Sequence, residues 1–149
     1  MVGPSTYLYV GTQSPSPTSI YFSPDGLNLY VYNGNNFLAN YRIFTAWDSA
    51  SIVYQTFPAS RSLSAYTTSG SSISFTDDGY NLFITTNSST ILRLTLSTAW
   101  SLGSTLAQNS TFSLNTGISA GATHATISYD GYSIIATNNR RLSLSLIHI

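Results

Sequence analysis

The chain has 149 residues, with five Asp, five Arg, no Glu or Lys, no Cys and zero net charge. That balance gives no electrostatic case for nucleic acid or an anionic membrane as partner, and the lack of cysteine excludes disulfides, a thiolate nucleophile and cysteine-ligated zinc. No apolar run approaches the ~18 residues of a membrane-spanning helix, and with the helix formers Glu and Lys missing while Thr, Tyr, Val, Ile and Phe favour strands, the composition points to an all-β fold.

In chain order, "STYLYVGTQ" (Ser5 to Gln13) is predicted to be a strand, the outermost of a preceding unit. "SIYFS" (Ser19 to Ser23) alternates, placing Ile20 and Phe22 on one face. An Asp-Gly turn, Asp25–Gly26, follows, because Gly supplies positive φ at no steric cost. "LNLYVY" (Leu27 to Tyr32), the turn "NGNN" (Asn33 to Asn36), a run from Phe37 to Phe44, the turn "TAWDSAS" (Thr45 to Ser51) and a run from Ile52 to Phe57 complete a four-stranded unit. Pro58 to Gly70, rich in Ser, is predicted to be a loop.

The same grammar then recurs. Gly26, Gly79 and Gly131 are spaced by 79 − 26 = 53 and 131 − 79 = 52 residues. Asp25, Asp78 and Asp130 align, as do Leu29, Leu82 and Ile134; Trp47 and Trp100 are also 53 apart. Two landmarks with one spacing define an internal repeat. The predicted units are 19–57, 72–113 and a partial third at 124–143, all within one domain spanning 1–149.

Four short strands in about 50 residues make one propeller blade, a twisted antiparallel sheet that must pack on its neighbours. A β-sandwich and a β-solenoid are the other architectures compatible with the pattern. "FSPDGLNLYVYN" resembles the YVTN/NHL-type β-propeller repeat, and "FTAWDSAS" and "LSTAW" resemble an outer turn of such repeats in bacterial surface and phage-encoded proteins. The resemblance covers Ser19 to Asn139 and implies the fold; it implies no single function, because propellers host many tasks.

About two and a half blades is fewer than the four to eight of a closed ring, so an incomplete ring is expected. "LSLIHI" (Leu144 to Ile149) equals the translation of a transposase mosaic-end adapter used in sequencing libraries, CTG TCT CTT ATA CAC ATC. On that resemblance the chain is a truncated stretch from environmental DNA, and 144–149 lies outside the protein. The alternatives are that "RRLSLSLIHI" is a genuine third strand, and that the chain is a short subunit whose copies close a ring. The opening "MVGPSTYLYV" lacks a signal peptide's basic start and apolar core.

Among candidate residues, Asp25–Gly26, Asp78–Gly79 and Asp130–Gly131 suit hairpin turns in which Asp accepts amide hydrogen bonds; a ring of carboxylates holding a cation is the alternative. Asp77–Asp78, the one adjacent acid pair, points its carboxylates apart and sits in no D-x-D-x-D-G loop, so no metal site is expected. No G-x-S-x-G motif is present, so no catalytic residue is assigned and no cofactor is called for. Trp47 and Trp100 are expected to pack between blades. Asn33, Asn35 and Asn36, Asn87, and Asn138, Asn139 and Arg140 fall in equivalent turns, which together with the loops Ser14 to Thr18, Pro58 to Gly70 and Asn115 to Thr123, and with His124 at the start of an inner strand, form the candidate binding face. Amide, guanidinium and aromatic groups there suit a protein or a glycan; equally, Asn and Gly are plain turn formers. Asn87 and Asn109 also fit the glycosylation triplet.

The expectation is a non-catalytic structural or adhesive module at a cell surface or virion. The alternatives are a propeller enzyme, lactonase-like hydrolase or lyase, with its catalytic groups in other blades, and a self-assembling subunit.

Overall fold

A computed structural model describes residues 8–54, 60–67, 69–88, 90–113, 124–128, 132–138 and 141–146. They form three consecutive antiparallel sheets. The first holds β1 (Pro17–Phe22), β2 (Asn28–Asn33), β3 (Phe37–Ile43), β4 (Ile52–Tyr54) and β5 (Ser60–Ser62). The second holds β6 (Gly70–Phe75), β7 (Asn81–Thr86), β8 (Thr90–Leu96) and β9 (Leu106–Ser113). The third holds β10 (His124–Ile127), β11 (Ser133–Asn138) and β12 (Arg141–Leu146). Strands pair in sequence order within each sheet, except that β5 pairs with β3, the strand that β4 also pairs with, and the first strands β1, β6 and β10 lie side by side. This is the blade arrangement that the repeat predicts.

The Asp-Gly turn has one construction in both described copies. Asp25 Oδ1 accepts from the Ser23 hydroxyl at 2.5 Å and from Leu27 N–H at 2.9 Å, with Gly26 at φ +69°. Asp78 Oδ1 accepts from the Thr76 hydroxyl at 2.5 Å and from Tyr80 N–H at 3.0 Å, with Gly79 at φ +72°. Glycine is demanded twice over. The φ is left-handed, and a Cβ would clash with the Trp47 ring at Gly26 and with the Trp100 ring at Gly79. Each tryptophan is tied to its glycine by a backbone bond, Trp47 N–H to Gly26 O at 3.2 Å and Trp100 N–H to Gly79 O at 3.0 Å. Asp130 and Gly131 lie outside the described residues.

The blades stack through apolar faces. The first joint buries Tyr30, Tyr32, Leu38 and Leu63 of the first blade against Phe75, Leu82, Ile84, Leu94 and other apolar residues of the second. Its aromatic centre pairs Tyr30 with Phe75 at 4.7 Å, Phe75 with Trp100 at 5.4 Å and Tyr21 with Trp100 at 6.3 Å, contacts worth roughly 0.5–1.5 kcal/mol each beyond area burial. Polar bonds cross it too. Tyr30 OH donates to Trp100 O at 2.5 Å, Tyr66 OH to Leu106 O at 3.1 Å, and Arg61 to Leu102 O and Ser104 O at 3.1 and 2.6 Å. The second joint packs Phe83 and Ile91 against Ala125, Ile134 and Ala136.

Serine hydroxyls link the first strands of successive sheets. Ser19 Oγ accepts from Ile73 N–H at 3.2 Å, and 53 residues on Ser72 Oγ accepts from Ala125 N–H at 3.0 Å.

Four expectations need correction. Residues 8–13 form no strand: the Val10 carbonyl accepts N–H bonds from Gln13 and Ser14, which turns the chain there. Ser60–Ser62 is a strand and not loop, because Leu38 pairs with Arg61 along the edge of β3. The third blade does not stop at 143, because β11 offers a partner as far as Ser133, opposite Leu146. Trp100 packs between blades as expected, whereas Trp47 is 64% exposed and, among the described aromatic rings, meets Phe22 of its own blade at 5.8 Å.

The unequal tryptophans give a direct test. Trp100→Ala should cost about 3–5 kcal/mol in denaturant unfolding, the usual loss for a packed aromatic, and Trp47→Ala less than about 1 kcal/mol. The buried phenols give a second. Burial, with Asp77 adding repulsion, pushes Tyr21 up to about 12, and burial pushes Tyr32 up to about 12. A raised acid holds its proton in the folded state. The stability is therefore complete below about pH 10, the unfolded phenol value, and is lost as pH rises from there through 12. Thermal melts should fall across that window, less steeply in Tyr32→Phe.

Candidate functional site

The blades have two ends. One carries the Asp-Gly and Trp turns. The other carries the β2–β3 and β7–β8 turns and the segments leading into β1 and β6, and here Asn33, Asn35, Asn36 and Asn87 lie.

The structure divides them. Asn33 is buried, and its Oδ1 accepts from Asn35 N–H at 3.1 Å and Phe37 N–H at 2.9 Å. Asn36 is buried at φ 61°, and its Oδ1 accepts from Tyr32 OH at 2.9 Å. Both asparagines are committed to holding the turn. Asn35 and Asn87 are exposed at their turn tips. Asn138 ends β11, while Asn139 and Arg140 lie outside the described residues. His124 is exposed at the start of β10 and faces Pro17, Thr18, Ser19 and Ile20 across a shallow groove.

Between the first two blades this end opens into a cleft of about 370 Å³. Its walls are the connection Ser64 to Thr67 with Ser69, and Thr86, Ser88, Thr90 and Leu92 of the next blade. Thr86 and Ser88 hydroxyls lie 2.8 Å apart, and Thr86 Oγ1 accepts from Thr90 N–H at 3.3 Å. Thr67 Oγ1 donates to Ser69 O at 3.1 Å. The Tyr66 hydroxyl is held by Leu106 O, so its ring stands as a fixed wall. The cleft therefore offers hydroxyls and one aromatic surface, without charge. The loop Pro58 to Gly70 lies on the expected face, but Tyr66 within it was not singled out from the sequence.

Among the described residues, no three of His, Asp, Glu or Cys come together. Asp25, Asp48 and Asp78 serve the turns. The Ser23 hydroxyl, helped by Leu27 N–H and Arg42, holds the Asp25 carboxyl below the usual carboxylate range. Asp78 is tied to Thr76 and Tyr80 as described. No helix of the described residues is long and apolar enough to cross a membrane.

No protein-family model matches the chain, and no curated protein sequence matches it. Solved structures do. The β-propeller domain of Myceliophteria thermophila Cps50 (Swd1) superposes with a TM-score of 0.54 at 18% identity, over 87% of this chain and 39% of that one. A chain of a mitotic checkpoint complex gives 0.58 at 11% identity over 89% and 36%, and the RRP9 WD40 repeats give 0.55 at 13% over 89% and 36%. The fold is thus that of a β-propeller repeat protein, and the chain spans between a third and two fifths of the length of these neighbours.

The depressed Asp25 carboxyl stabilises the turn only while ionised. Its contribution is full above the unfolded value near pH 4 and is lost as pH falls below it through the folded value. Asp25→Asn should lower the melting temperature at neutral pH and flatten its fall on acidification.

Proposed function

We propose that this chain is a non-catalytic interaction module that holds a partner protein in the hydroxyl-lined cleft at the loop end of the blades. The observation that carries this is the cleft itself, walled by Ser, Thr and a fixed Tyr66 ring and free of acids, bases and nucleophilic clusters among the described residues. Such a surface recognises backbone amides and small polar side chains of an extended segment. The neighbours in fold include a chain of a multi-protein complex, which supports a protein as the partner. The YVTN/NHL-like repeat and the uncharged Ser, Thr, Asn and Tyr surface favour a bacterial cell surface or a virion as the place of action.

A second reading rests on the Tyr66 ring beside the hydroxyls. Ring stacking with hydroxyl hydrogen bonds also suits a sugar, so a glycan on the partner fits the same cleft.

Panning a peptide library on the immobilised chain tests the proposal. Selected peptides should bind Ser88→Arg, which fills the cleft, at least tenfold more weakly, and should bind Ser49→Arg at the opposite end unchanged. Peptides indifferent to Ser88→Arg would overturn the protein reading. Competition by free sugars would move the assignment to the glycan.

A further inference from the structure

The end of the blades opposite the cleft, where the Asp-Gly and Trp turns lie, shows aromatic rings to solvent. Not all of them belong to that end. Phe22 and Trp47 hold repeat positions that Phe75 and Trp100 fill inside the first joint, so they are joint residues. Phe44, Tyr80 and Tyr132 are of another kind. The second blade packs against a neighbour on either side, and there Tyr80 is still 46% exposed. Tyr132 holds the same place in the third blade and is 54% exposed. Phe44 is 69% exposed, and its counterpart 53 residues on, Ser97, is exposed in the second blade as well. Each of the three blades thus presents a ring at a position that packing between blades leaves open.

The backbone beneath these rings is held. Tyr80 N–H donates to Asp78 Oδ1 at 3.0 Å, and its carbonyl accepts from Leu96 N–H at 2.8 Å. Leu27 makes both bonds in the first blade, to Asp25 Oδ1 at 2.9 Å and from Ile43 N–H at 2.8 Å. Leu27 therefore lies against the end of β3, and Phe44 follows directly. The first blade carries its ring on that strand end and the second carries it on the turn. Neither Phe44 nor Tyr80 pairs with another ring among the described residues.

The groups beside the rings are hydroxyls and carboxylates. Ser97 and Thr98 are exposed just beyond Leu96. Asp78 spends Oδ1 on the Thr76 hydroxyl and Tyr80 N–H, which fixes the carboxylate and leaves Oδ2 to accept from a ligand. Asp25, Asp48, Asp77 and Asp78 all fall in the turns of this end, which disfavours a partner bearing phosphates. Each ring stands among polar turn residues and not in one broad apolar patch, which disfavours a hydrophobic protein interface. A sugar suits both features. Its C–H face stacks on an aromatic ring, and its hydroxyls donate to a carboxylate.

We propose that this end of the blades is a second binding face, which takes a neutral polysaccharide whose sugars stack on Phe44, Tyr80 and Tyr132 while their hydroxyls donate to Asp78. Rings on successive blades give several weak contacts to one polymer, and these reinforce one another through avidity. The face lies opposite the cleft, so the proposal does not rest on partner binding there.

Depletion of the chain from solution by particles of cellulose, chitin and starch tests this. At least one of the three should bind the wild type. Tyr80→Ala should bind that polysaccharide roughly three- to tenfold more weakly, the loss of one stacked ring, and adding Tyr132→Ala or Phe44→Ala should weaken it further. Tyr80→Phe, which keeps the ring, should bind like wild type. All three side chains are exposed, so the variants should keep the fold. Ser88→Arg, in the cleft, should bind unchanged. A wild type that binds none of the particles, or binding that survives loss of Tyr80 and Tyr132 together, would overturn the proposal. Binding abolished by Ser88→Arg would put the sugar in the cleft and overturn it too.

Discussion

An antiparallel blade has two apolar faces and cannot keep either dry by itself. Everything else in this chain follows from that constraint. The residues that repeat most faithfully are those that meet a neighbour or shape the turn beneath it: the alternating inner strand, the Asp-Gly turn and the tryptophan laid on its glycine. In the first joint the indole of Trp100 lies between the turn of its own blade and Tyr21 and Tyr30 of the preceding one. One side chain thereby fixes a local conformation and a long-range contact together.

Scarcity of charge shapes the rest. With so few ionisable groups, bonds between blades rely on hydroxyls and backbone carbonyls. Ser19 and Ser72 bind the N–H groups of the next inner strand, and Tyr30 and Tyr66 donate to carbonyls across the joint. Arg61 places its guanidinium on two carbonyls where a carboxylate would be the commoner partner. A buried hydroxyl costs far less to desolvate than a buried charge. Aromatic rings carrying one hydroxyl each can therefore line the interface.

Much of this was legible in the sequence. The 53-residue spacing located the blades, and alternation around Ile20 and Ile73 located the inner strands. Asp25 and Asp78 do the turn work their chemistry suggests. What failed did so for physical reasons. Ser60–Ser62 looks like a loop by composition and is a strand because the β3 edge supplies partners that composition does not register. Asn33 and Asn36 look like binding residues because an amide suits a ligand and a turn equally well; only the placement of Phe37 N–H and Tyr32 OH decides between them. Trp47 and Trp100 are indistinguishable by spacing, since burial belongs to the neighbouring sheet and not to the residue. Both walls of the cleft belong to the face expected from the turns and loops, but the fixed Tyr66 ring was not legible, because its hydroxyl is held by a carbonyl of the next unit.

The uniform joint has an evolutionary consequence. Because incoming and outgoing faces fall at fixed positions within each repeat, duplicating or deleting one whole unit of about 53 codons leaves the surviving contacts in register. A break inside a unit separates the Asp-Gly turn from its tryptophan, or a fourth strand from its sheet. Genes of this kind are thus free to change length by whole blades, and selection then acts on the loops that each added blade brings.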